Sequence, residues 1–215
     1  MSFIGPLKIA VPEIFRGAFL TALAALLLAA CTSLPRVDAV ESREQRVERL
    51  SALKGWELRG RVALRTEDNR GGQASLSWQY RDERHVIVLR GPLGGGLLRL
   101  QQDRDGAHLQ DAERREYRAV SAEELLFNVA GWRIPIAGLE YWIRGLPAPS
   151  EIVLQEWDEY GRLTRLQQFG WDVYFLDYAS SEGYELPSRL DVILPSPNRS
   201  ARTEARIIIE EWVVK

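Results

Sequence analysis

Cys31 is the only cysteine in a chain of 215 residues, and the residues on its amino side decide what its thiol can do. Gly17 to Ala30 carries no charge, Lys8 and Arg16 stand upstream, and the run closes on the small residues Ala29 and Ala30. A positive start, an apolar middle and small residues before a scissile bond make a secretory leader. The run falls short of the roughly 20 residues a permanent membrane helix needs, so a processed chain would begin at Cys31. A single thiol leaves no disulfide and no cysteine-based metal site within one chain. The two histidines, His85 and His108, fall in separate predicted strands with no HExxH pattern, so no metal site is expected. No GxSxG elbow, P-loop or GxGxxG before a helix occurs, and Gly91 to Gly96 lacks the lysine or helix start of a phosphate cradle. Most carboxylates fall at polar strand positions or in turns such as Asp103/Asp105 and Asp158/Glu159. No catalytic residue is assigned, and no enzyme is expected.

Leu28-Ala29-Ala30-Cys31 resembles the lipobox of bacterial lipoproteins, which ends Leu-Ala-(Gly/Ala)-Cys. The resemblance implies that the Cys31 thiol takes a diacylglycerol, that cleavage follows on its amino side, and that the freed amine is acylated. These covalent chains are the only prosthetic groups expected. Each buried methylene contributes about 0.8 kcal/mol, so three long chains hold the protein at the membrane almost irreversibly. Thr32-Ser33 stand where an Asp would retain such a protein in the inner membrane. The resemblance therefore implies an outer-membrane protein, lipid-anchored and facing the periplasm. The alternatives are an uncleaved anchor or a lone thiol behind an ordinary signal peptide.

The rest of the chain must form whatever this anchor holds. Residues 1–30 are the leader, residues 31–40 a lipidated start and tether in which Pro35 discourages helix, and residues 41–215 one domain long enough to bury a core. The formal charge of -2 becomes slightly more negative when the leader leaves, so no nucleic-acid partner is expected. Seven tryptophans need a core or an apolar cavity to hide in. From Glu41 to Lys54, charges alternate while Val47, Leu50 and Leu53 recur, which predicts a mostly solvated helix ending before Gly55.

The period then changes to two. Trp56, Leu58, Val62 and Leu64 alternate with Glu57, Arg59, Arg61 and Arg65, and after a turn Ala74, Leu76, Trp78 and Tyr80 do the same. His85 to Leu89 is apolar on both faces, and further strands are predicted from Leu97, Ala107, Glu116, Ile152, Leu163, Trp171, Leu186 and Ala205. Ser121 and Glu124 make a capping box for a helix that buries Leu125, Leu126 and Val129 and stops at Gly131. Leu139, Trp142, Ile143 and Leu146 stripe a second short helix. Many short strands and few helices imply one large antiparallel sheet that curls, with helices on its concave side completing a core or roofing a cavity. Strand parity places Trp78, Val88, Leu98 and Leu100 on or beside the apolar face, with Leu139, Trp142 and Ile143 facing them; these are the cavity candidates. Arg59, Arg61 and Arg65 share an outward face, either as ordinary surface charge or as a patch for an acidic partner or anionic headgroups. In the loop from Gly91 to Gly96, Leu93 is the only large side chain. It either folds back as a core plug or stands out to touch a membrane.

Several stretches together resemble the LolB family of outer-membrane lipoprotein receptors. They are Trp56 to Arg61, Trp78, Pro92-Leu93-Gly94, Gly131 to Ile136, Trp142 to Pro147, and Trp212 to Lys215. The resemblance implies a mostly β fold, an incomplete, half-open antiparallel barrel capped by short α-helices around an apolar cavity. It implies a monomer that accepts the acyl chains of lipoproteins from the periplasmic carrier LolA and inserts them among outer-membrane phospholipids. It also implies that the Pro92-Leu93-Gly94 loop protrudes and that Leu93 assists insertion; Gly95 and Gly96 make that loop more flexible than the family pattern. The alternative is a structural lipoprotein of the envelope that binds lipid or another amphiphile.

Overall fold

The alternation that begins at Trp56 runs through one antiparallel sheet of eleven strands. The structure, a computed structural model, describes residues 41–67, 71–92, 96–196 and 202–215. Cys31, Leu93 and Gly94 lie outside the described residues. Helix α1 (Arg43–Ser51) comes first, followed by β1 (Gly55–Arg65), β2 (Gly71–Arg81), β3 (Arg84–Arg90), β4 (Leu97–Asp103), β5 (Gly106–Gln110) and β6 (Glu116–Ala119). Helices α2 (Ala122–Ala130) and α3 (Ile136–Trp142) come next, and β7 (Leu154–Trp157), β8 (Leu163–Gln168), β9 (Trp171–Ser181), β10 (Tyr184–Pro195) and β11 (Arg202–Val214) complete the chain.

The spatial order is β6-β5-β4-β3-β2-β1-β11-β10-β9-β8-β7. Two meanders meet at a single seam, where β1 pairs with β11 from Trp56↔Val214 to Arg65↔Glu204. Strands β6 and β7 are therefore free edges, and the sheet is open, as expected of an incomplete barrel. Helices α2 and α3 carry the chain from one free edge to the other. Because every pairing is antiparallel, connections alternate between two ends of the sheet. The β1–β2, β3–β4, β8–β9 and β10–β11 connections and the start of β7 share one end, here the loop end. The start of β1 and the β2–β3, β7–β8 and β9–β10 turns share the other.

Helix α1 lies at that second end. Its Arg43 guanidinium sits 5.4 Å from the Trp157 ring, and Arg49 Nη1 donates to Gly183 O at 3.2 Å. The helix starts with a complete capping box: Gln45 N–H donates to Ser42 Oγ at 3.2 Å, and Ser42 N–H to Gln45 Oε1 at 3.0 Å. The box expected at Ser121 is half formed. Glu124 N–H donates to Ser121 Oγ, while the neighbouring Glu123 accepts from Ala137 N–H at 2.8 Å instead. Helix α1 is mostly solvated, as expected, and its one buried stripe holds Arg46 along with Leu50. The Arg46 guanidinium donates to Glu185 O and stands 5.6 Å from the Tyr178 ring.

Tyr178 donates its hydroxyl to Leu163 O at 2.8 Å. Burial pushes its phenol above the ordinary tyrosine range, with nearby Arg46 pulling the other way. A raised folded-state pKa means that this group's contribution to stability is complete below about pH 10, where a free tyrosine ionises, and declines above it. Tyr178→Phe is expected to cost about 1 kcal/mol at neutral pH for the lost hydrogen bond. The same variant should flatten the alkaline fall of the urea midpoint between about pH 9 and about pH 11. Parallel urea titrations of the two proteins check both.

Candidate functional site

Directly opposed residues in an antiparallel pair point to the same face, so register sorts the site. Trp78 is opposite Leu58 and Ile87, Ile87 is opposite Leu100, and Leu89 is opposite Leu98. All of these lie on the concave face, where Trp78 and Leu100 are buried and Leu98 is partly buried against the core. Leu139, Trp142 and Ile143 of the α3 region are buried among the same core residues. Six of the seven cavity candidates therefore belong to one apolar body between sheet and helices.

Val88 does not. It is opposite Ser77 and Arg99 and so points to the convex face. Val86, Ile87 and Val88 are all apolar, so alternation within β3 carried no phase, and the strand's pairing decided the matter.

The concave face also holds Trp56, whose ring centroid is 5.5 Å from Trp78, 5.6 Å from Tyr80 and 5.8 Å from Trp212. This aromatic cluster straddles the seam. From α2, Ala122, Leu125 and Leu126 are buried, and Val129 packs against the core at its margin. The surface is apolar, continuous across both meanders and roofed by two short helices. Chemically it can shelter hydrocarbon, provided the roof moves.

Three polar ties hold that roof at α3. Towards β3, Glu140 Oε2 lies 3.1 Å from His85 Nε2, while His85 Nδ1 accepts from Trp78 Nε1 at 3.2 Å. That arrangement assigns the proton to Nε2. Towards α1, Arg144 Nη1 donates to Leu50 O at 3.3 Å, and its Nη2 lies 3.5 Å from Glu140 Oε1. Burial lowers the Arg144 guanidinium from its ordinary value and Glu140 opposes the shift; an arginine stays charged in such a site. Towards β8, Trp142 Nε1 donates to Gln168 Oε1 at 3.0 Å. Sequence reasoning missed His85, Glu140, Arg144 and Gln168. Trp142-Ile143-Arg144-Gly145 was part of the family pattern, but nothing in it showed that the arginine turns inward.

The outward arginines all have carboxylate partners. Arg59 pairs with Glu57 and Glu211, Arg61 with Glu210 and Arg65 with Glu204, and their side chains are 63%, 66% and 60% exposed. Exposed pairs of this kind contribute little to stability. Among the described residues no cluster of His, Cys, Asp and Glu could hold a metal ion. Among them, too, no helix is long and apolar enough to cross a membrane.

The sequence model of the family described as "Outer membrane lipoprotein LolB" matches residues 54–212. The chain is 41% identical over 202 residues to an outer-membrane lipoprotein LolB of Alkalilimnicola ehrlichii, covering 92% of this chain and 97% of that one. It is 34% identical over 200 residues to the protein of the same description in Pseudomonas aeruginosa, covering 90% and 94%. Among solved structures it is similar to a LolA superfamily protein from Nitrosomonas europaea, with a TM-score of 0.51 at 8% identity over 81% of this chain and 94% of that one. At that identity the likeness is one of fold.

Proposed function

The chain belongs to the LolB family of outer-membrane lipoproteins, and from that membership we propose that it takes lipoproteins from the periplasmic carrier LolA and places their acyl chains in the inner leaflet of the outer membrane. The observation that carries this reading is the concave face: apolar across both meanders and covered by helices fastened through a few side chains. Hydrocarbon crossing water would cost about 0.8 kcal/mol per exposed methylene, so cargo must pass from one apolar shelter to another. Apolar packing is non-directional and lets α3 slide, whereas the Glu140, Arg144 and Trp142 ties define one closed position. Cargo that lifts α3 must replace these ties with acyl contacts. Direction then follows from affinity: the receptor binds the chains more tightly than the carrier, and the bilayer more tightly still. No nucleotide is required.

In this reading Cys31 holds the protein at the membrane through its diacylglycerol and N-acyl chain, and Leu93, presented by Pro92 and Gly94, opens the way into the leaflet. The test is a transfer assay with the chain from Thr32 onward, a carrier loaded with a lipoprotein, and liposomes, comparing wild type with Leu93→Glu. Both forms should take cargo from the carrier. Delivery to liposomes by Leu93→Glu should fall by roughly tenfold or more, because a carboxylate replaces the side chain that enters hydrocarbon. If wild type never takes cargo, the receptor reading fails.

A further inference from the structure

Ile152, Val153 and Phe169 are apolar side chains at the loop end of the sheet, 36%, 75% and 49% exposed. Val153 N–H donates to Gln167 O at 3.0 Å and Leu154 is opposite Gln167, so the residues just before β7 continue along β8 towards Phe169. Phe169 occupies an unexpected place. Gln168 pairs with Trp171, so Phe169 and Gly170 close the β8–β9 hairpin alone, with φ of 53° and 79°. A two-residue turn of that handedness favours Asn or Asp before Gly. The β2–β3 and β9–β10 turns fill the same first position with Asp82 and Glu182, at φ of 51° and 50°. A bulky ring held in the left-handed region is strained, and such strain collects at functional positions. One side of the ring is directed by Trp142, 6.1 Å away, while the rest faces solvent.

Three side chains cannot supply the roughly 800 Å² per partner of a stable protein interface. A bilayer surface needs no matching shape, and each apolar side chain that sinks into it contributes by itself. The same end of the sheet carries the β3–β4 connection, closed at its base by Gly91 N–H donating to Gly96 O at 3.0 Å. Beside it stands Arg90, exposed and without an ionic partner among the described residues, suited to a lipid phosphate. Five strands lie between β3 and β8 in the sheet, so the two features belong to different meanders at the same end. We propose that Ile152, Val153 and Phe169 enter the headgroup boundary of the outer membrane as a second point of contact, across the sheet from the β3–β4 connection. This rests on the reading that the β3–β4 connection meets the bilayer.

The test uses the full lipidated chain in vesicles of phosphatidylethanolamine and phosphatidylglycerol. Single cysteines replace Val153, Leu93 or Tyr160, the last exposed in the β7–β8 turn at the opposite end, and each is labelled with an environment-sensitive fluorophore. The Val153→Cys label should shift to the blue and be quenched by lipids spin-labelled near the headgroup, and the Tyr160→Cys label should do neither. If the Leu93→Cys label is embedded and the Val153→Cys label behaves like that at Tyr160, the second contact is refuted while insertion by the loop stands. If neither is embedded, both readings fall. In the transfer assay Val153→Glu should leave uptake from the carrier unchanged and slow delivery roughly fivefold. A loss of uptake would make these residues a carrier-docking face and overturn the proposal.

Discussion

Gly60→Ala is expected to lower stability by about 3 to 5 kcal/mol, the range of the most disruptive single substitutions. A β-carbon at position 60 would lie 2.0 Å from Ile208 O and 3.0 Å from Ile209 Cα. Neither neighbour is a side chain that can swing away. The register between β1 and β11 shifts here: Arg59 is opposite Glu211 but Gly60 is opposite Ile209, leaving Glu210 as the extra residue of a bulge. The bulged backbone presses against β1 where only hydrogen fits. This seam is the one pairing that joins the two meanders, so parting it by an ångström disturbs the aromatic cluster around Trp56 as well. Gly72→Ala serves as the control, since a β-carbon there would meet nothing within 4 Å. Urea unfolding of the two variants should show a midpoint shift confined to position 60. An equal fall in both variants would mean that the close approach is not the cause.

Gln168→Leu should cost a comparable amount, about 3 to 5 kcal/mol, without changing the side-chain volume much. Gln168 is fully buried. Its Oε1 accepts from Trp142 Nε1 and from Ala148 N–H, both at 3.0 Å, and its Nε2 donates to Ala148 O at 2.8 Å and Ser150 O at 3.2 Å. Leucine strands two donors, Trp142 Nε1 and Ala148 N–H, each costing about 1 to 3 kcal/mol unless the segment shifts to find partners, while Ala148 O keeps its bond from Ser150 N–H at 2.8 Å and Ser150 is exposed. Because the amide ties both α3 and the chain after it to β8, tryptophan fluorescence should change together with the unfolding midpoint. A variant as stable as wild type would show that the 148–150 segment satisfies itself by another route, and that this tie is not what holds the roof.

The sheet was legible because its strands alternate: Trp56 to Arg65 and Ala74 to Tyr80 show one apolar face each, and that face is buried. The helices were legible from their stripes, Leu125 with Leu126 and Leu139 with Trp142 and Ile143. The readings of Cys31 and Leu93 rest on motifs alone, because what they describe is specified by local residue order and not by packing, and both residues lie outside the described residues. What stayed hidden was polar. Gln168 has the parity of Leu166 and so belongs inside, but an amide at an inward position looks like an error until its four partners are seen. His85 and Glu140 are far apart in the chain, and each alone reads as surface. Val88 was misplaced because β3 is apolar on both faces, a pattern from which no phase can be drawn.

The position of α1 sets a problem of reach. Residues 31–40 span at most about 35 Å when fully extended, and the eleven residues of β1 rise about 36 Å from the α1 end of the sheet to the loop end. If Cys31 carries the lipid, as proposed above, the chain is leashed by its heel. To bring its loop end to the leaflet that holds that anchor, the domain would lie over with its strands along the membrane plane, because a leash of about 35 Å falls just short of the roughly 36 Å that an upright strand requires. The length of this segment is then itself a constraint on how cargo can be set down.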